Sequence, residues 1–244
     1  MRQTFYISTM TNTAGLELGV PAYNIEVIIE ISIEIINDLI RVVMWMEHYF
    51  TNQPESDSKE QAFTFTLRGR EFKFKTDSGV FSKNRIDFGS VLLIESMDIR
   101  DGMDVLDVGC GYGPIGLSAA SLTPHGSVKM LDINERAVKL ANDNLKLNGI
   151  TNACAMVSDR FAALKEGETF DVILTNPPIR AGKQVVHGIF EEANRFLKSG
   201  GALWVVIQKK QGAPSAFAKL TEEYSSVEEV AKKKGYSVFK AIKE

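Results

Sequence analysis

Apolar and polar residues alternate through residues 63–75, FTFTLRGREFKFK, on either side of Arg68-Gly69. Alternation of period two, broken by a residue-glycine pair, predicts a β-hairpin with a tight turn. Beyond it the period changes. Residues 90–97 (SVLLIESM) predict a short helix, and 103–109 (MDVLDVG) a short apolar strand that runs into a glycine-rich turn. A helix follows at 114–121, with Pro114 in its first turn, where the missing N–H costs nothing. SVKMLD at 127–132 predicts the next strand. Helix 135–148, capped by Asn134, gathers Ala137, Val138, Ala141 and Leu145 on one face and stops at Asn148-Gly149. Strands are expected at 153–157, 170–175 and 201–207. Helix 184–198 buries Val186, Ile189, Phe190, Ala193 and Leu197 and ends at Gly200-Gly201. A helix near 214–224 and strands near 226–232 and 235–241 follow. Strands alternating with helices predict an α/β fold, a largely parallel sheet covered on both faces.

The first 45 residues do not share this pattern. Residues 25–45 are rich in isoleucine, with acids at 26, 30, 34 and 38. That spacing places one acidic stripe along a helix, although ISIEI also alternates as a strand. The charges are too frequent for a bilayer span, and no secretory signal is expected. Met46 opens a polar stretch, MEHYFTNQPESDSKE, that reads as a natural N-terminus, so residues 1–45 are expected to be an extension upstream of the functional start. Residues 46–100 then form an N-terminal hairpin and entrance segment ahead of a main domain at 101–244.

Composition adds little except locally. The chain has 244 residues and a formal charge of −3, no overall signature of a nucleic-acid binder. Residues 59–85, however, hold seven cations, among them Arg68, Arg70, Lys73 and Lys75, against three acids. Such a patch can hold phosphates, or it is a solvated hairpin face. Cys110 and Cys154 make no disulfide framework and lack metal-ligand spacing, so a reducing, cytoplasmic compartment is expected. His48, His125 and His187 are scattered and suggest no metal.

The chemistry is concentrated at strand ends. Asp107-Val-Gly-Cys-Gly-Tyr-Gly113 lies at the carboxyl end of a parallel strand, where such sheets bind ligands. Gly109, Gly111 and Gly113 allow a cofactor close to the backbone, and Asp107 puts a carboxylate where a cationic group would lie. Gly111-x-Gly113-x-x-Gly116 also satisfies a dinucleotide fingerprint. Asp132 ends the next strand, where a carboxylate accepts both ribose hydroxyls, and Asp159 after the third strand suits an adenine amino group. Asn176-Pro177-Pro178-Ile179 is the most specific signal. Two prolines make a rigid ledge. The Asn176 side-chain oxygen and the Pro177 carbonyl can hold both hydrogens of an exocyclic amine and aim its nitrogen.

These motifs make the chain resemble class I S-adenosylmethionine methyltransferases. Residues 60–244 are most similar to the bacterial 16S ribosomal RNA guanine-N2 methyltransferases, through Gly79-Val-Phe-Ser82, Ile86-Asp87-Phe-Gly-Ser90, the Asp107–Gly113 loop and Asn176-Pro-Pro178. The resemblance implies a Rossmann-like, seven-stranded sheet preceded by a hairpin, with S-adenosylmethionine as cofactor and ribosomal RNA or the small ribosomal subunit as partner. It implies that Asp107, Gly109, Gly111, Asp132 and Asp159 bind the cofactor, that Phe81 and Ser82 close the site, and that Asn176 orients the amine. Ile179 stands where members often carry a stacking aromatic residue. Adenine-N6 or protein glutamine methylation would need the same ledge. A nicotinamide dehydrogenase or a non-catalytic RNA-binding protein would not.

Overall fold

The computed structural model describes residues 60–77 and 86–244. The expectations for residues 1–45 and Met46, for Phe81 and Ser82, and for Lys59, Lys83 and Arg85 fall outside the described residues.

β1 (Gln61–Leu67) and β2 (Arg70–Thr76) pair antiparallel around Arg68 and Gly69, which take φ of 49° and 76°. Positive φ at both positions makes the primed two-residue turn whose twist matches the strands it joins. A left-handed arginine is uncommon, and distant partners hold this one. Its N–H donates to Glu95 Oε1 at 2.9 Å, and its guanidinium to the carbonyls of Ile94 (3.0 Å) and Met97 (2.8 Å). Those carbonyls close α1 (Phe88–Ser96), whose N-cap Asp87 accepts from the Ser90 N–H at 3.0 Å. The cap starts the helix two residues earlier than the apolar pattern predicts.

The hairpin buries Leu67, Phe72 and Phe74, with Phe74 edge-on to Tyr112 at 5.8 Å. Among the described residues no further strand pairs with β2; two asparagines of a helix take that place. In α3 (Glu135–Leu147) and its C-cap, Asn144 and Asn148 stand one turn apart. Each exchanges two bonds with the β2 backbone: Asn144 with the N–H and carbonyl of Lys75, Asn148 with those of Lys73. Asn144 also donates to the Tyr112 carbonyl at 2.9 Å, tying the hairpin to the glycine loop.

The main sheet has seven strands, as the resemblance implies. They are β3 (Asp104–Val108), β4 (Ser127–Asp132), β5 (Ala153–Val157), β6 (Phe170–Thr175), β7 (Leu197–Gln208), β8 (Ser226–Lys233) and β9 (Tyr236–Ile242), in the order β5-β4-β3-β6-β7-β9-β8. β3 to β7 run parallel, and β9 and β8 add an antiparallel edge. Side chains alternate between two cores. Ala202, Trp204 and Val206 of β7 pack with α1, α2 (Pro114–Leu122), α3 and the hairpin, while Leu203, Val205 and Ile207 pack with α4 (Lys183–Phe196) and α5 (Ala213–Glu223). No described helix is long and apolar enough to cross a membrane.

One boundary departs from the sequence reading. Gly200-Gly201 does not stop a helix; α4 ends at Phe196 and β7 begins at Leu197, which pairs with Phe170. The register then slips, so that Val172 meets Ala202. Gly200, at φ 73°, lies in this bulge, and Lys198 anchors it on Asp104 (3.1 Å) and Asp171 (2.8 Å). Glycine here marks an irregular strand, which period counting does not separate from a helix end.

Candidate active site

The carboxyl ends of β3, β4, β5, β6 and β7 open onto one cavity of about 950 Å³. The order of the sheet reverses at β3, so the chain leaves neighbouring strands in opposite directions and a crevice forms between them.

The glycine loop after β3 is stitched to β4. Gly109 and Cys110 both donate to the Leu131 carbonyl, at 2.8 and 3.0 Å, and Gly111 N–H donates to Asp132 Oδ2 at 2.8 Å. Asp132 Oδ1 accepts from Asn134 N–H at 2.9 Å, beside the cap that starts α3. Burial raises the Asp132 carboxyl above its ordinary range, while the Asn134 and Gly111 amides pull it back. Its oxygens retain lone pairs toward the cavity that it lines. Gly109 and Gly111 line the same wall, and Asp159 stands at the rim with most of its side chain exposed, 3.7 Å from Arg160 Nε.

Two predicted cofactor residues stand behind that wall. Gly113 caps α2 at φ 95°, and a Cβ there would fall 2.6 Å from Leu117 Cδ1, so packing of the helix demands glycine. Asp107 points to the α2 side of the sheet and is fully buried; its Oδ2 accepts from Gly116 N–H at 2.9 Å. Gly116 permits this approach, since a Cβ would strike Met130 Sδ at 2.2 Å. The other oxygen, Oδ1, is buried without a partner among the described residues. Burial pushes the Asp107 carboxyl up to about 7, with the charge of Asp132 adding to the shift.

The opposite wall carries Asn176, Pro177, Pro178 and Ile179. Thr175 Oγ1 fastens the end of β6 to the Val108 carbonyl at 2.9 Å, and a short 3₁₀ turn (Ile179–Ala181) leads into α4. Asn176 Nδ2 donates to Asp87 Oδ1 at 3.2 Å and to Ser90 Oγ at 3.0 Å. A carboxylate only accepts, so Asp87 fixes which way the amide faces. Among the described residues, no donor is bonded to the Asn176 carbonyl oxygen.

Asp87 and Ser90 line this cavity, as does Tyr236 from β9, packed 5.6 Å from Phe88. Ser90 lies in the Ile86-Asp87-Phe-Gly-Ser90 stretch, but the sequence alone assigns it no role; the Asp87-x-x-Ser90 cap is the signal that could have placed α1 here, and Tyr236 has no local motif.

The hairpin cations lie elsewhere. None of Arg68, Arg70, Lys73 and Lys75 lines the cavity. Arg68 is spent on the end of α1, and Arg70 lies 5.1 Å over the Phe72 ring.

S-adenosylmethionine fits this donor set. Asp132 and Asp159 offer acceptors for hydroxyl and amino groups, Gly109 and Gly111 offer a side-chain-free wall, and the unpartnered Asp107 oxygen behind that wall offers compensation to a cation. A buried acceptor left unmade costs ~1–3 kcal/mol, which a cationic ligand near it would offset.

Comparisons with known proteins agree with this arrangement. Residues 71–240 match the model of the methyltransferase small domain. The uncharacterized protein YbxB of Bacillus subtilis is 54% identical over 200 residues, covering 81% of this chain and 98% of that protein. Ribosomal RNA small subunit methyltransferase C of Vibrio cholerae is 31% identical over 150 residues, covering 60% of this chain and 43% of that one. The structure is similar to the T. thermophilus 16S rRNA N2 G1207 methyltransferase in complex with AdoMet and guanosine. That match has TM-score 0.69 and 29% identity, and covers 79% of this chain and 52% of the other. The chain thus spans about half the length of these ribosomal RNA methyltransferases.

Proposed function

For this chain, which belongs to the methyltransferase small domain family and is a class I S-adenosylmethionine-dependent methyltransferase, we propose that the methyl acceptor is an exocyclic amine, guanine N2 of small-subunit ribosomal RNA. Family membership sets aside the nicotinamide reading. One observation carries the proposal: the Asn176 amide, at the cavity wall, is held by Asp87 and Ser90 through its nitrogen, and its oxygen has no donor among the described residues.

S-adenosylmethionine, when bound, supplies an electrophilic methyl group on a sulfonium. Asp132 would hold the ribose, Asp159 the adenine, and the Gly109–Gly111 backbone would lie against the cofactor, with Asp107 balancing its positive charge from behind. Asn176 Oδ1 and the Pro177 carbonyl accept the two amine hydrogens. A lone pair delocalised into a ring is a poor nucleophile, and holding both hydrogens fixes the nitrogen and favours positive charge on it. Pro178 and Ile179 give the base a rigid, apolar face. The relatives' names support ribosomal RNA as the acceptor class.

The test is mass spectrometry of modified nucleosides after the purified protein acts on small subunits and on naked 16S RNA from a strain lacking the gene. N2-methylguanosine is expected. N6-methyladenosine, or label in protein glutamine, would overturn the guanine assignment.

A further inference from the structure

The substrate side of the cavity is lined by Asp87, one of whose carboxylate oxygens no described residue uses. Asp87 Oδ1 is committed twice, to the Ser90 N–H at 3.0 Å and to the Asn176 amide at 3.2 Å. Oδ2 accepts no hydrogen bond, and no cation pairs with Asp87, among the described residues. The fold nevertheless makes room for the group. Gly89 lies under it, and a Cβ there would fall 3.1 Å from Asp87 Oδ1 and 3.0 Å from the Tyr236 ring. Its negative charge is felt across the wall, adding to the burial that raises the Tyr112 phenol. Asp87, Ser90, Asn176 and Tyr236 line the cavity together.

An N-cap that needs one oxygen to start a helix does not need the second to face a ligand cavity. What it can accept depends on what accompanies the amine that Asn176 holds. In guanine the N2 amine has the N1–H beside it, a second donor pointing the same way. In adenine and cytosine the amine has a ring-nitrogen lone pair beside it, and in a glutamine side chain a carbonyl oxygen. We propose that Asp87 selects guanine, its Oδ2 accepting N1–H while Asn176 holds the N2 amine next to it. A lone pair in that place would face a carboxylate, leaving both acceptors without a proton. Sites that hydrogen-bond a substrate group reject analogues lacking it far more strongly than apolar pockets sort by size. The inference rests on the amine reading above and adds the group that chooses among amines.

A pair of nucleosides isolates the claim. 2-Aminopurine riboside carries the same amine as guanosine at C2 but has a lone pair at N1 and no oxygen at C6, a second difference that the Asp87→Asn comparison cancels. Binding of each is measured by calorimetry to the full chain saturated with S-adenosylhomocysteine. Guanosine should bind at least about tenfold more tightly, the effect of one bond to a charged acceptor. Asp87→Asn keeps an oxygen for Ser90 and Asn176 and turns an amide donor to the base, so the preference should vanish or invert. Affinity for S-adenosylhomocysteine should not change, which excludes misfolding. Equal binding of the two nucleosides by the wild-type chain, no guanosine binding, or an unchanged preference in Asp87→Asn would each overturn the assignment. Guanine methylation in ribosomal RNA alongside equal nucleoside binding would remove this role of Asp87 alone. Absence of guanine methylation would remove the parent reading.

Discussion

The two halves of the cavity are built differently. The half proposed to take the cofactor is local: the Gly109–Gly111 backbone, Asp132 and Asp159 sit at the ends of three successive strands, and short bonds from Gly111 and Asn134 hold the central carboxylate. The substrate half is assembled from far apart. Asn176 is set by Ser90 and Asp87, 86 and 89 residues away, and Tyr236 arrives from the antiparallel edge of the sheet. One half is set by bonds between neighbouring strand ends. The other depends on α1 docking correctly, so reaction specificity rests on tertiary packing.

The sharpest break between the halves is Asn176→Ala. It removes the oxygen proposed to hold one amine hydrogen and leaves the Asp132 side untouched. Methyl transfer should fall ~10²–10³-fold, about 2.7–4 kcal/mol, while calorimetry shows S-adenosylmethionine affinity within a factor of two or so. Turnover like wild type would reduce Asn176-Pro177-Pro178 to a stiff loop and erase the distinction. A parallel loss of cofactor affinity would show that the halves are one unit.

How much of this was readable in the chain follows the same division. The alternation in 63–75, the strand 127–132 and the Asn134 cap are local, and the structure reproduces each of them. Asp132 and Asn176 were legible because strand ends and proline pairs carry their meaning within a few residues. Asn144 and Asn148 look like ordinary polar positions on a helix; only folding reveals that they complete the β2 ladder. The positive residues of the hairpin signalled charge, but a count of charges does not say that Arg68 will be consumed by carbonyls of α1.

A second break lies inside the cofactor half. Asp107 has a carboxyl pushed up to about 7 by burial, against 3.8 for an ordinary one. The folded state therefore binds more protons than the unfolded one between those values, and its stability falls as pH rises through that window. Asp107→Asn cannot ionise, so wild-type stability should drop relative to this variant by up to ~1.4 kcal/mol per pH unit from about pH 4 to 7, and level off above. Urea unfolding at a series of pH values measures it. A cationic cofactor lowers the Asp107 carboxyl, so binding should release a proton and tighten with pH up to about 7 in wild type but not in the variant. A flat stability difference would mean that the loop stays charged without its ligand.

The smallest effect separates scaffold from substrate surface within the hairpin. Arg68 sits in a left-handed turn and donates to Ile94 and Met97 at the carboxyl end of α1, where a positive charge also meets the helix dipole. Arg68→Asn keeps a residue that tolerates this backbone and removes the guanidinium. Stability should fall by about 1 kcal/mol, because charged hydrogen bonds at a part-exposed helix end are worth little more. RNA affinity should keep its salt dependence. Had Arg68 gripped a phosphate, the slope of log affinity against log salt would flatten by ~0.7–0.9. Neutralising Arg70, Lys73 and Lys75 together is the counterpart, since their charged ends are not bonded to carbonyls or carboxylates among the described residues. That triple change should flatten the slope if the hairpin meets RNA at all. Equal slopes in both variants would assign the whole hairpin to the scaffold, linked to the chemistry through α1 and through Tyr112 of the glycine loop.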